Sequence, residues 1–258
     1  MSLSDGAFIV GGQALNIWAE RYFSKAAELT FYGPYTSKDL DYFGQVDAAR
    51  KLAQLIDGEV LIPGRDDHTP ESARVQATID GHKVEVDFLT HVKGVPDDRL
   101  QKSAADLVFQ IQTADGIAEL KVPIMHPFHC LRSRLANVVE LNRSDETAKR
   151  QLEAAPIVLR EYIDEMLEAG RERDATGTLQ ALFEYLRSDL TGRRAHLVMS
   201  NDPAMIFDRF ADDPRIAERY RAHNLTTMRR QIAERRTAWG RLKSLFLPRT
   251  IVEDSRPA

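Results

Sequence analysis

The sequence predicts an α+β protein, in which a mixed sheet with packed helices is followed by a helical region. Short apolar runs alternate with helical patterns in the first sixty or so residues. Alternating runs then meet at Asp80-Gly81 and at Asp115-Gly116, and Asp-Gly between such runs is a strong hairpin signal. Later apolar residues recur at helical spacing. We therefore expect a sheet domain over residues 1–125, an α-helical domain over residues 126–250 and a disordered tail over residues 251–258.

The composition is that of a soluble globular protein. The chain has 258 residues, of which 43% are hydrophobic and 29% are charged, so it can bury a sizeable core. A net charge of -4 is too near neutral to indicate a nucleic-acid coat or a membrane surface. The single cysteine, Cys130, excludes an internal disulfide and favours a reducing cytoplasm. The N-terminus lacks a basic or long apolar stretch, so we expect neither a signal peptide nor a membrane span.

A glycine pair follows the first apolar run. Residues 7–10 are expected to form a short buried strand, which ends at Gly11-Gly12, and a helix is expected from about Gln13 to Leu29. Backbone N–H groups at such a junction point at one place, glycine allows close approach, and a helix N-terminus favours anions. The pair is a candidate phosphate site, although Gly-Gly also serves simply as a turn.

Three carboxylates are placed on predicted strands. Asp39 and Asp41 are two residues apart, so on a strand both project from one face. Asp87 lies in the alternating run 82–89, where it shares a face with Glu85. If the two strands are neighbours, the three acids converge, and they repel one another unless a cation lies between them. Exposed edge residues would explain the same pattern without a site.

Carboxylate oxygens at this spacing suit Mg²⁺. Three acids can hold two Mg²⁺ ions, one lowering the pKa of an attacking hydroxyl and the other binding a triphosphate and the leaving pyrophosphate. The protein would then mainly position groups and neutralise charge.

The order of these motifs resembles the DNA polymerase β nucleotidyltransferase superfamily. The segments Val10-Gly11-Gly12, Thr36-Ser37-Lys38-Asp39-Leu40-Asp41 and Val86-Asp87-Phe88 are most similar to its minimal members, which include the abortive-infection (AbiE-type) toxin nucleotidyltransferases. The resemblance covers about residues 7–125 firmly and the helical remainder loosely. It implies a nucleotidyltransferase-type sheet and an NTP such as ATP as substrate.

The resemblance also implies roles for individual residues. Gly11 and Gly12 would line the triphosphate pocket. Asp39 and Asp41 would bind both metal ions, and Asp87 would complete the metal site and help to activate the acceptor hydroxyl.

Two further positions are compared with the family pattern. Toxin-like members usually carry an arginine about where Tyr35 stands in this sequence. Without that arginine, either the γ-phosphate is not oriented by a basic side chain or Lys38 takes over this role. A solvated Lys38 is equally consistent with the sequence. Arg134 is the closest counterpart of a basic catalytic residue on a later helix, and the alternative for it is a salt-bridging surface arginine.

The segment from His126 to Cys130 contains two histidines and the cysteine. Because a proline separates the histidines at a helix start and no matching ligand cluster stands nearby, capping or packing is preferred over a metal site. Ser144 is the expected N-cap of a long helix that reaches Gly170. Pro156 should kink or split that helix.

The last expected helix runs from about residue 225 to residue 246. Residues 215–249 contain 10 basic and 2 acidic side chains. One interpretation is a solvated helix packed on the body of the protein. The other is a binding surface for RNA phosphates, such as those of tRNA, or for an acidic protein partner. The basic side chains around its apolar stripe are Arg229, Arg230, Arg235, Arg236, Arg241 and Lys243.

These observations favour a cytoplasmic Mg²⁺-dependent nucleotidyltransferase. It would move a nucleoside monophosphate from an NTP to a hydroxyl of a tRNA 3′ end, a protein or a small molecule. The family likeness adds a role as the toxin of a toxin–antitoxin pair, with a protein antitoxin as partner. The alternatives are a catalytically inert module of the same fold that binds nucleotide or a partner, and a phosphohydrolase that uses the same carboxylates.

Overall fold

The protein is a mixed α+β structure built on a seven-stranded sheet. A computed structural model describes residues 3–35, 40–64, 66–67, 69–113 and 116–237. The strands are β1 (Phe8–Ile9), β2 (Leu40–Phe43), β3 (Glu59–Leu61), β4 (Glu71–Ile79), β5 (His82–Leu89), β6 (Ala105–Thr113) and β7 (Gly116–Ile124). The α-helices are α1 (Gly11–Tyr22), α2 (Val46–Ile56), α3 (Asp97–Lys102), α4 (Pro127–Glu140), α5 (Glu146–Glu168), α6 (Glu172–Ser188), α7 (Ala195–Val198), α8 (Met205–Arg209) and α9 (Thr226–Arg236).

The strand order is β3-β4-β5-β2-β1-β7-β6. The pairs β2–β5 and β1–β7 are parallel, whereas the other neighbours are antiparallel. β4 and β5 form the predicted hairpin around Asp80-Gly81, in which Ile79 is opposite His82. β6 and β7 form the second predicted hairpin, and Asp115 of its turn lies outside the described residues. The sheet is therefore mixed, as the sequence predicts.

Each face of the sheet is covered by different helices. α2 packs against β4, and its alanines form a small core with Val75, Val86 and Phe88. The opposite side is covered by α1, which also packs on α4 and α5. Because strand side chains alternate, Asp41 and Asp87 point away from the α2 side, on which Tyr42 and Phe88 stack.

One buried cluster extends from the sheet through the helical half. It contains Phe8 of β1 as well as Leu225, next to α9. The indole Nε1–H of Trp18 donates to the Met125 carbonyl at 2.9 Å, and the Trp18 ring packs edge-on against Tyr162 of α5. The helices after residue 126 are thus packed into the same core as the sheet, and the predicted domain boundaries stay predictions.

Two predicted helix boundaries are wrong. The first helix ends at Tyr22 rather than Leu29, because Ala26 adopts a non-helical backbone, and a separate 3-10 helix covers Ala27–Tyr32. The N-cap of α5 is Asp145 rather than Ser144: its carboxylate accepts the Ala148 N–H at 2.9 Å. A side-chain oxygen at this position satisfies a backbone donor that the first turn leaves unpaired.

Of the kink or split predicted at Pro156, the split is wrong, because α5 runs without interruption from Glu146 to Glu168. A proline removes one intrahelical hydrogen bond, and the buried residues on both sides of Pro156 stabilise the helix in spite of that loss.

The last helix also differs from its prediction. α9 ends at Arg236, since Thr237 has an extended backbone with ψ 153 and its hydroxyl donates to the Glu234 carbonyl at 2.7 Å. The rest of the predicted helix and the predicted disordered tail lie outside the described residues. Within the described part of the chain, no helix combines the length and apolar character needed to cross a membrane.

Candidate active site

Two of the predicted carboxylates lie directly opposite each other. β2 pairs in parallel with β5, and the register places Asp41 beside Asp87. In-register residues on neighbouring strands project from the same face, about 5 Å apart. The Asp41 side chain is partly buried, and that of Asp87 is 18% exposed. The condition on which the site depends, that these two strands are neighbours, is met, and the pairing brings two carboxylates together on the face that α1 covers.

Asp87 is paired with an arginine that the sequence analysis did not single out. Arg74 stands opposite Asp87 on β4, and its Nε donates to Asp87 Oδ1 at 2.5 Å. Its Nη2 also contacts Glu71 Oε1 at 3.2 Å. Hydrogen bonding to Asp87 raises the pKa of the Arg74 guanidinium, and the nearby acids reinforce this shift. Arg74 is therefore a permanent cation within this acidic cluster.

The glycine pair lies against Asp41. Gly11 is the first residue of α1 and has a φ of +68, in the left-handed region that L-residues rarely adopt. A methyl group on Gly11 would overlap Asp41 Oδ2 and lie 3.1 Å from Asp41 Cγ. The Val10 N–H donates to the Asp41 carbonyl at 2.8 Å. The Gly11 backbone therefore packs closely against another group, as glycine permits, and in this structure that group is the Asp41 carboxylate.

Gly12 lies against a buried polar network. A methyl group there would come within 2.8 Å of Gln151 Nε2. Gln151 is 6% exposed; its Nε2 donates to Asn16 Oδ1 at 3.1 Å, and its Oε1 accepts from Arg134 Nη1 at 2.9 Å. These contacts join α1, α4 and α5 behind the glycine pair, and they fix the orientation of Arg134.

Arg134 is held close to the acidic cluster. Burial lowers the pKa of its guanidinium, whereas Cys130 and the Asp41 carboxylate oppose that shift. Its Nε is buried and has no hydrogen-bond partner among the described residues. Within that part of the chain, Arg134 hydrogen-bonds to Gln151 and Ser133 and to no carboxylate, so the surface salt bridge given as the alternative is not found there.

Not every predicted site residue is placed. Asp39 and Lys38 lie outside the described residues. Among the residues that are described, no group of three or more His, Cys, Asp or Glu side chains is arranged to hold a metal ion. The three-carboxylate metal site therefore stays a prediction. Tyr35 is a core residue: it is 9% exposed, and its hydroxyl donates to the Leu29 carbonyl at 2.8 Å.

Three arginines of the basic helix contact other parts of the protein, two of them through ion pairs. Arg229 pairs with Asp208, and Arg235 donates to the Arg187 carbonyl. Arg236 pairs with Asp202, with Nη2 2.9 Å from Oδ1. α9 packs on α6 and α8. The described part thus matches a helix packed on the body of the protein, and the proposed RNA or protein contact stays a prediction.

The histidines at the start of α4 have structural partners. His126 is the N-cap, and its Nδ1 accepts the Phe128 N–H at 3.1 Å, which confirms capping. His129 and Cys130 are buried.

Arg74, Gln151 and Asn16 were missed in the sequence analysis. A signal for Arg74 was available: a two-residue turn at Asp80-Gly81 sets a register that places residue 74 opposite residue 87. Asn16 is a polar residue on the buried face of α1, beside Leu15 and Ala19, which is a weak signal. The sequence contains no signal for Gln151, because its hydrogen bond to Asn16 depends on packing between segments 135 residues apart.

Comparisons with protein-family models, with curated proteins and with solved structures found no match.

Proposed function

We propose that the protein is a Mg²⁺-dependent nucleotidyltransferase that transfers a nucleoside monophosphate from an NTP to a hydroxyl acceptor. The observation that supports this most directly is the pairing of Asp41 with Asp87 on adjacent parallel strands, with the N-terminus of a helix against Asp41. The sheet order places β1, which leads into the glycine pair, next to β2, and β2 next to β5, so the glycine junction and both aspartates lie on three neighbouring strands.

The donor set fits Mg²⁺. Asp41 and Asp87 offer carboxylate oxygens on one face, and Asp39 precedes Asp41 by two residues in the sequence. A triphosphate at the N-terminus of α1 would lie beside the negative Asp41, so a cation between them is required electrostatically. When bound, Mg²⁺ would neutralise the phosphates and lower the pKa of the acceptor hydroxyl.

The chain's own groups would divide the remaining tasks. Backbone N–H groups at Gly11 and Gly12 bind phosphate oxygens, as first-turn donors do. Arg74 uses Asp87 Oδ1, which leaves Oδ2 to accept the proton of the acceptor hydroxyl. The acceptor oxygen then bonds to the α-phosphorus, the bond to the β-phosphate bridging oxygen breaks, and pyrophosphate leaves. Arg134 adds positive charge near Asp41.

The second candidate function is an inert nucleotide-binding or partner-binding module of the same fold. The Arg74–Asp87 ion pair favours it, because a carboxylate that is neutralised by a guanidinium is a weaker base and metal ligand. The two functions assign opposite effects to Arg74: it positions Asp87 in an enzyme and blocks it in an inert module.

The experiment is transfer of label from each α-labelled NTP, with Mg²⁺, to total RNA, lysate protein or small metabolites. We expect labelled product and pyrophosphate with the unchanged protein and their loss in Asp41→Asn and Asp87→Asn. Asp106→Asn, an exposed carboxylate on β6, is the control and should be fully active. Arg74→Gln should lower transfer by about tenfold or more if Arg74 positions Asp87.

The outcomes separate the candidates. Metal-dependent NTP binding without product in any acceptor pool supports the inert module. Product that persists in both aspartate variants removes the proposed site. Release of inorganic phosphate instead of pyrophosphate identifies a phosphohydrolase.

A further inference from the structure

A cavity lies on the far side of α4 from the carboxylates. It has a volume of about 1240 Å³ and is walled by α3, α4, α5 and α6. Arg132 and His129 line it, whereas Arg134 of the same helix hydrogen-bonds to Gln151 next to Gly12. Arg132 and Arg134 are two residues apart, about 200° around a helix, so they point to opposite sides of α4. The proposed nucleotidyl transfer does not use this cavity.

Three buried polar atoms of residues that line the cavity have no hydrogen-bond partner among the described residues. They are His129 Nδ1, Arg132 Nε and Tyr185 Oη. His129 and Tyr185 are each only 5% exposed. Buried polar groups in folded proteins are nearly always hydrogen-bonded, and each one left unpaired costs about 1–3 kcal/mol. Three such atoms on residues around one cavity therefore point to a hydrogen-bonding ligand.

The wall carries charges of both signs, with a small excess of positive charge: its basic residues are Arg99, Lys102, Arg132, Arg171 and Arg173, and its acidic residues are Asp98, Asp174, Glu184 and Asp189. Arg132 carries a permanent positive charge on a side chain that is 16% exposed. Its Nη2 forms an ion pair with Asp189 Oδ2 at 3.7 Å, which is too long for a hydrogen bond and leaves the guanidinium N–H groups able to donate to an anion. Burial, together with the charges of His126, Arg132 and Arg99, lowers the pKa of His129 to about 3, so His129 is neutral at physiological pH and able to donate one N–H. A small anion would find a guanidinium N–H, a hydroxyl and an imidazole within one cavity.

The same wall presents aromatic surfaces. The Arg132 guanidinium lies 4.8 Å from the centre of the Tyr185 ring and 5.9 Å from that of Phe128. Phe128 and Tyr162 also line the cavity. Apolar ring faces beside a few convergent polar atoms are typical of sites for small organic molecules.

We propose that this cavity binds a small molecule in which a planar ring carries a carboxylate or phosphate group. The anion accepts hydrogen bonds from Arg132 Nε, Tyr185 Oη and His129, while the ring packs on Phe128 and Tyr162.

The test is calorimetric titration of the full chain with phenyl phosphate, benzoate and inorganic phosphate. Comparing phenyl phosphate with benzoate shows whether the cavity prefers a phosphate or a carboxylate. Comparing phenyl phosphate with inorganic phosphate shows how much the ring contributes to affinity. The first variant is Tyr185→Phe, which removes only an unpaired hydroxyl and should leave the unfolding midpoint unchanged or slightly raised. The second is Arg132→Met, which removes the charge and keeps an apolar stem.

We expect at least one ring-bearing probe to bind saturably. Its affinity should fall by about tenfold or more in each variant, since each loses a hydrogen bond to a charged group. Tyr220→Phe is the matched control: its hydroxyl donates to the Thr176 carbonyl at 3.1 Å, and Tyr220 does not line the cavity. That variant should lose stability and keep full affinity.

Three results would overturn the proposal. One is that no probe binds saturably at millimolar concentration. Another is equal affinity of the unchanged protein and Tyr185→Phe. The third is that inorganic phosphate binds as tightly as phenyl phosphate, which would remove the role assigned to the ring.

Discussion

The contact between Gly11 and Asp41 makes a quantitative prediction about Gly11→Ala. The change adds one methyl group at a residue whose φ is +68 and whose Cβ would overlap Asp41 Oδ2. Two costs are expected. The left-handed backbone costs a non-glycine residue about 1–2 kcal/mol, and overpacking against Asp41 adds about 1–3 kcal/mol. The free energy of unfolding should thus fall by roughly 2–5 kcal/mol.

Gly6 supplies a matched control for the backbone cost. Its φ is also +68, but a methyl group there would find no atom within 4 Å. Gly6→Ala should therefore lose only about 1–2 kcal/mol, from the backbone alone. The difference between the two variants measures the cost of the contact with Asp41.

The assay is urea unfolding followed by circular dichroism, with Asp41→Ala completing a double-mutant cycle. In the Asp41→Ala background the Gly11→Ala cost should fall towards that of Gly6→Ala. The Gly11→Ala cost should stay somewhat above the Gly6→Ala cost, because Asp41 Cβ would still lie 3.2 Å from the new methyl group. An equal Gly11→Ala cost in both backgrounds would refute the packing of the α1 N-terminus on Asp41.

Two further predictions concern stability. Trp18→Phe removes the 2.9 Å bond to the Met125 carbonyl, so unfolding should become easier by about 1–3 kcal/mol; a change within experimental error in urea unfolding would contradict the role given to this bond. Burial lowers the pKa of His126 to about 4 and that of His129 to about 3, below the unfolded value near 6.5. As pH falls below about 6.5 the unfolded chain therefore gains protons that the folded chain does not, and stability falls, by roughly 2 kcal/mol per histidine at pH 5. His129→Leu should reduce this pH dependence of stability by about half. The measurement is the urea midpoint of each protein at neutral and at acidic pH. If the midpoint of the variant depends on pH as steeply as that of the unchanged protein, His129 is not buried as a neutral ring.

The local features of the fold could be predicted from the sequence. The Asp80-Gly81 turn predicted the β4–β5 pairing that the structure has. Side-chain alternation correctly placed Asp87 away from Val86 and Phe88. These signals act over a few residues, where turn chemistry and periodicity decide the conformation.

The rest depends on contacts between distant segments. The carbonyl that Trp18 reaches and the glutamine behind Gly12 are brought there by packing of α4 and α5, which no local pattern encodes. Pro156 is a local helix breaker that tertiary burial overrides. Arg74 differs from these residues, because the register of the β4–β5 hairpin already places it opposite Asp87.

The packing of α1 on α5 has a consequence for synthesis of the chain. Tyr22 donates to Glu165 at 2.5 Å, and Lys25 pairs with Glu168 at 2.6 Å, across more than 140 positions of sequence. While the ribosome is still making residues 126–168, the side of α1 that packs on α4 and α5 has nothing to cover it. An early helix of the chain would therefore be fixed in place late, and this interval is when a chaperone would have that exposed surface to hold.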